Sequence, residues 1–130
     1  MSDITVSSIM TADPTGRDMV DFAKEKADLW KKDLKRTQIR NIFTEAREIE
    51  SEWKDDAPEK GMRRLNLLKA KLAYQEARHK SDAMHGLVDT LTKAIDEVGR
   101  VSGSQQSERF HRFMELFEAI LAYHRALGGS

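Results

Sequence analysis

Apolar side chains return every three or four positions through most of the chain, and that period limits what it can fold into. Ile39, Ile42, Phe43, Ala46 and Ile49 make one such stripe, and Leu87, Val88, Leu91, Ala94, Ile95 and Val98 another. Phe110, Phe113, Met114, Phe117, Ile120, Leu121 and Leu127 make the strongest. Such stripes belong to amphipathic helices, whereas a half-buried strand alternates apolar and polar residues. A looser stripe runs through Met19, Val20, Phe22, Ala23, Ala27 and Trp30. A fifth segment places Leu65, Leu68 and Leu72 on one side and Leu67, Ala70, Tyr74 and Ala77 around another, which predicts a central helix touched by several neighbours. Good helix formers dominate, and the only prolines are Pro14 and Pro58.

The punctuation divides the chain into five helices. They are expected over Asp18–Lys35, over Thr37–Trp53 with Thr37 as N-cap, over Pro58–Lys80, over Ala83–Val101, and from a cap at Ser104 or Ser107 to Leu127. Asp55-Asp56-Ala57-Pro58 reads as a turn, Gly99–Ser107 as a flexible connector and Gly128-Gly129 as a stop. At 130 residues the expectation is one all-α domain over residues 18–130, a compact five-helix bundle. Residues 1–17 lack a helical period and read as a flexible arm, in which Ile4, Val6, Ile9 and Met10 are candidates to dock on a partner or on the domain.

Several function classes drop out on composition. There is no cysteine, hence no disulfide framework, thiolate metal site or thiol nucleophile. No apolar run reaches the roughly 18 residues of a membrane span, and Met1–Thr11 lacks the pattern of a signal peptide. No serine sits in a G-x-S-x-G elbow and no glycine-rich loop cradles a phosphate. Two Glu-x-x-His pairs, Glu76/His79 and Glu108/His111, resemble half of a di-iron bundle site, but Glu108 and His111 point away from the Phe113–Phe117 face. No metal and no cofactor are expected. Glu118 lies among apolar neighbours and needs a cation, for which Lys69 and Arg40 are the candidates.

What remains is a local charge. Lys60–Lys80 carries seven Lys or Arg against one acid, Glu76, a net of +6 in a chain whose 22 basic and 22 acidic residues cancel. Steps of about 100° per residue align Lys60, Arg64, Lys71 and Arg78 in one row beside Leu67 and Tyr74. Arg40, Thr44 and Arg47 make a second polar row, on the flank of the Ile39–Ile49 stripe. Basic rows of this kind suit a nucleic-acid backbone or the acidic surface of a protein partner. A DNA-binding helix-turn-helix is not supported, because no tight turn of the required spacing joins two helices.

Three segments then carry a resemblance: Thr37-Gln-Ile-Arg-Asn-Ile-Phe43, Leu65-x-x-Leu-Lys-x-Lys-x-x-Tyr-x-x-x-Arg78 and Phe117-Glu-Ala-Ile-Leu-Ala-Tyr123. In this order the chain, over about residues 36–127, is similar to the small subunit of the type III-A CRISPR (Csm) interference complex. The resemblance implies a small all-helical protein without catalytic activity, in a prokaryotic cytoplasm. It implies several copies stacked along a filament of backbone subunits, in a complex with the large subunit, beside guide RNA and target RNA. It carries RNA-backbone contacts onto Arg40, Lys69, Lys71 and Arg78, and a structural role onto Glu118. Arg47 and Arg64 join the RNA-binding set from helix geometry alone. The alternative is a helical protein-interaction module whose basic face docks an acidic partner.

Overall fold

A computed structural model describes residues 4–129; residues 1–3 of the expected arm and residue 130 of the expected domain lie outside the described residues. Among the described residues there are six helices and no strand: α1 Val6–Ala12, α2 Arg17–Trp30, α3 Arg36–Glu52, α4 Glu59–Arg78, α5 Asp82–Gly99 and α6 Gly103–Ala126. The all-α expectation holds. The count of five does not, because the N-terminal segment expected to be a flexible arm contains α1.

Local chemistry explains the extra helix. Thr5 Oγ1 accepts from the Ser8 amide at 3.0 Å, and Ser8 Oγ accepts from the Thr5 amide at 3.0 Å, a reciprocal cap. Val6, Ile9 and Met10 then lie on one face and are buried, against α5 and α6. About two turns are too few to display a period in the sequence. The Asp13 carboxylate accepts from the amides of Asp18 (3.2 Å) and Met19 (2.9 Å), satisfying the start of α2. The tight turn between them needs Gly16 at φ 78°.

Other boundaries move by a few residues. The first expected helix stops at Trp30 instead of Lys35, and the chain turns to bury Leu34. Thr37 is not a cap; α3 starts one residue before it, where Gln38 Oε1 accepts from the Lys35 amide at 2.9 Å. Neither Ser104 nor Ser107 caps the last helix. It starts at Gly103, and Gln106 ties it back to α5 by donating to Val101 O (2.8 Å) and Val98 O (3.3 Å). The flexible connector thereby shrinks to residues 100–102. Ser107 is buried, accepting from Trp53 Nε1 at 3.0 Å and donating to Asp55 O at 3.1 Å.

The centre of the bundle is α6, which packs on α1, α2, α3 and α5. Phe110, Phe113 and Phe117 are fully buried along it. Trp53 stacks on Phe110 with ring centroids 3.9 Å apart and lies against Gly61, where a Cβ would overlap its ring. The expectation of a central α4 is corrected. This helix packs on α3 and α5, and the apolar residues of its second side, Leu67 and Tyr74, are 60% and 59% exposed. A leucine outside the apolar stripe gave that helix the pattern of an internal element, but no neighbour covers it.

Candidate nucleic-acid interface

Helices α3 and α4 run antiparallel, and two ion pairs bridge them. Arg64 of α4 meets Glu52 of α3, and Lys71 Nζ lies 3.4 Å from Glu45 Oε1. Each step of seven down α4 matches a step of seven back up α3, because about two helical turns separate neighbours on one face. By the same count of seven, the next position of α4 is Arg78 and the next of α3 is Gln38. There the carboxylate is missing, and the Gln38 amide oxygen is already taken by the Lys35 backbone. Arg78 instead donates from Nη1 to the Tyr74 hydroxyl at 3.3 Å, and both side chains are exposed. The basic row of α4 is thus neutralised at Arg64 and Lys71 and, among the described residues, without an ion pair at Lys60 and at the third rung, Arg78.

The six sequence-selected cations do not share one surface. Arg64, Lys71 and Arg78 form the ridge of α4 that faces α3. Lys69 is on the other side of α4, where its Nζ pairs with Asp96 Oδ1 of α5 at 2.7 Å. The expected Lys69–Glu118 and Arg40–Glu118 pairings do not form: Glu118 is exposed on α6 and has no ion pair among the described residues. An exposed carboxylate stays hydrated and needs no cation. Arg47 lies on the flank of α3 that faces α6; it pairs with Glu50 at 2.9 Å and covers Phe43, whose ring meets Phe117 of α6 at 5.1 Å. Arg40 is exposed, and its guanidinium makes no ion pair among the described residues.

Sequence reasoning passed over a second group of cations. Lys31, Lys32, Lys35 and Arg36 crowd the corner between α2 and α3, one turn before Arg40. Lys31 pairs with Asp28, whose carboxyl it holds below the usual range through a hydrogen bond and its charge. Arg36 Nη2 donates to Gly129 O at 3.0 Å. The signal was four cations in six residues, masked by assigning Lys31–Lys35 to an ordinary helix.

The ion pairs on the α3–α4 ridge are solvent-washed; the Lys71 and Glu45 side chains are 65% and 40% exposed. Exposed pairs contribute only about 0.2–1 kcal/mol each. A phosphate approaching the ridge can therefore displace a carboxylate at little cost. The two Glu-x-x-His pairs are split by the fold. Glu76 reaches across to His85 of α5, and His111 Nε2 lies 2.8 Å from Asp55 Oδ1. Among the described residues no group of three or more His, Asp or Glu is placed to hold a metal ion. No helix among the described residues is long and apolar enough to cross a membrane.

Comparison with known proteins agrees with the three sequence segments. No curated protein and no solved structure matches the chain. The family model described as Csm2 Type III-A matches residues 13–130, which include all of α2 to α6 and each of the six cations. The chain therefore belongs to the Csm2 Type III-A family and is a small subunit of the type III-A CRISPR effector complex.

Proposed function

We propose that this subunit is non-catalytic and holds the backbone of guide or target RNA along the α3–α4 ridge, as one of several copies stacked beside the backbone and large subunits in the prokaryotic cytoplasm. The observation that carries this reading is the open third rung. Arg78 projects at the end of a basic row with an exposed tyrosine beside it and no ion pair among the described residues. Arg64 and Lys71 extend the path once phosphates replace Glu52 and Glu45, and Arg40 supplies a further free cation. Each cation set against a phosphate releases counterions, so a single copy binds weakly and in a salt-dependent way. Repetition along a filament converts weak contacts into retention. Sequence information comes from guide–target pairing, and this protein reads charge and shape.

The test is charge reversal on the ridge. Arg78→Glu with Lys71→Glu should weaken binding to single-stranded RNA by about tenfold or more. The slope of log affinity against log salt should become shallower by about 0.7 for each phosphate that is no longer neutralised. Unchanged affinity and slope would remove the ridge from the RNA path. They would favour the second reading, a protein-docking face, for which the exposed Leu67 on the same ridge is the supporting observation.

A further inference from the structure

We propose that the groove between α3 and α4 is a pocket for one unpaired nucleobase of an RNA strand, read at its Watson–Crick edge with guanine preferred. This rests on the RNA-binding reading above and adds a base-specific contact to it. The groove encloses about 390 Å³, within the roughly 300–1,000 Å³ of small-molecule sites. Ile42 and Leu68 give it an apolar floor, against which a flat aromatic ring can lie. Asn41 on α3 and Gln75 on α4 line it from opposite helices. Neither side-chain amide is hydrogen-bonded within the described residues. Two free amides and the Glu45 carboxylate around an apolar floor are the donors and acceptors that a base edge requires.

The chemistry favours one base. A carboxylate offers two acceptor oxygens side by side, and guanine alone presents two adjacent donors, N1–H and the N2 amino group, on its pairing edge. Its O6 then accepts from an amide N–H of Asn41 or Gln75. The Lys71 ammonium holds Glu45 only at 3.4 Å, which leaves the carboxylate able to turn to the base. Tyr74, at the mouth of the groove, is 59% exposed and offers its ring for stacking. Arg78 lies one turn beyond Tyr74 and Gln75, within reach of the phosphate flanking an inserted nucleotide.

The measurement is fluorescence anisotropy at low salt with labelled oligouridine RNAs that differ only at one central position: guanine, adenine, cytosine, uracil or abasic. The guanine strand should bind about tenfold more tightly than the abasic strand, the other bases falling between. Asn41→Ala with Glu45→Gln, which removes one amide and the two adjacent acceptor oxygens, should erase that ranking without making the salt slope shallower. Thermal melting would establish that this double variant, altered only at the groove rim, is folded. If all five strands bind wild-type protein equally, or if the ranking survives in the double variant, the pocket assignment is wrong. A shallower slope in Arg78→Glu would then still support RNA binding along the ridge. Conversely, no binding of any strand by wild-type protein overturns both readings. If Asn41→Trp, which fills the groove, detaches a protein subunit from the complex without changing RNA affinity, the groove is a protein-docking site instead.

Discussion

Single side chains in this protein change meaning with the partner that the fold brings to them. Glu76 is three residues before His79, a spacing that suggests a pair within one helix, yet its partner is His85 on the next helix. The hydrogen bond and the negative charge of Glu76 raise the His85 pKa above its usual 6.5. The sign follows from that direction. The contact favours protonated His85, so its contribution to stability is present below the unfolded pKa and is lost as pH rises through the elevated folded value. His85 is fully exposed, so the clearest readout is its own titration. In a proton NMR pH series of wild type and Glu76→Gln, the His85 ring should titrate at lower pH in the variant. Coincident curves would show that the contact does not persist in solution. The Lys69 side chain makes the same point. Its place near the leucine stripe suggested Glu118, and the fold delivers Asp96.

At the scale of elements, length decides what a sequence reveals. Helices α2 to α6 run 14 to 24 residues and display their apolar period several times over. Helix α1 has seven residues, and its evidence is one capping pair and three apolar positions. An isolated helix that short does not form in water, so α1 exists because Ile9 and Met10 are inserted into the core. Arg112 of α6 also reaches it, with Nη1 3.3 Å from Ile9 O, at the end of α1 where carbonyls lack partners. Ile9→Ala should destabilise the whole domain by about 2–4 kcal/mol, measured by chemical denaturation. A loss below about 0.5 kcal/mol, within the range of an ordinary surface substitution, would mean that α1 is peripheral. The reverse case is α4, where apolar residues on two sides read as an internal helix and one side is open.

Across the whole molecule, opposite charges are sorted rather than merely balanced. The acids of α3 lie opposite the bases of α4 for two rungs and stop before the third. A chain with 22 charges of each sign therefore still presents a cationic end. Glu52→Gln leaves 21 acids against 22 bases, a net of +1, and frees Arg64 without touching the groove lined by Asn41 and Gln75. RNA affinity should rise and the salt slope should steepen by about 0.7. The melting temperature should move little, because an exposed pair contributes only about 0.2–1 kcal/mol. An unchanged slope would place Arg64 outside the RNA path.

The sequence alone determined the helical class, the positions of the five longer helices within a few residues, and the family, because period, caps and motif order are local and linear. The core stripes Ile39–Ile49 and Leu87–Val98 were legible for the same reason, and so was the basic row of α4. The tertiary structure decided which cations are free. An ion pair depends on the register between two helices, and neither Glu45, which pairs with Lys71, nor Glu52, which pairs with Arg64, is a neighbour in sequence. It also decided that α6 lies at the centre and that the N-terminal segment is docked, since both depend on apolar faces meeting across long stretches of chain. The row that reads along the sequence as one continuous basic face is paired in the middle, at Arg64 and Lys71, and unpaired at its ends, and only the packing of α3 against α4 could show which.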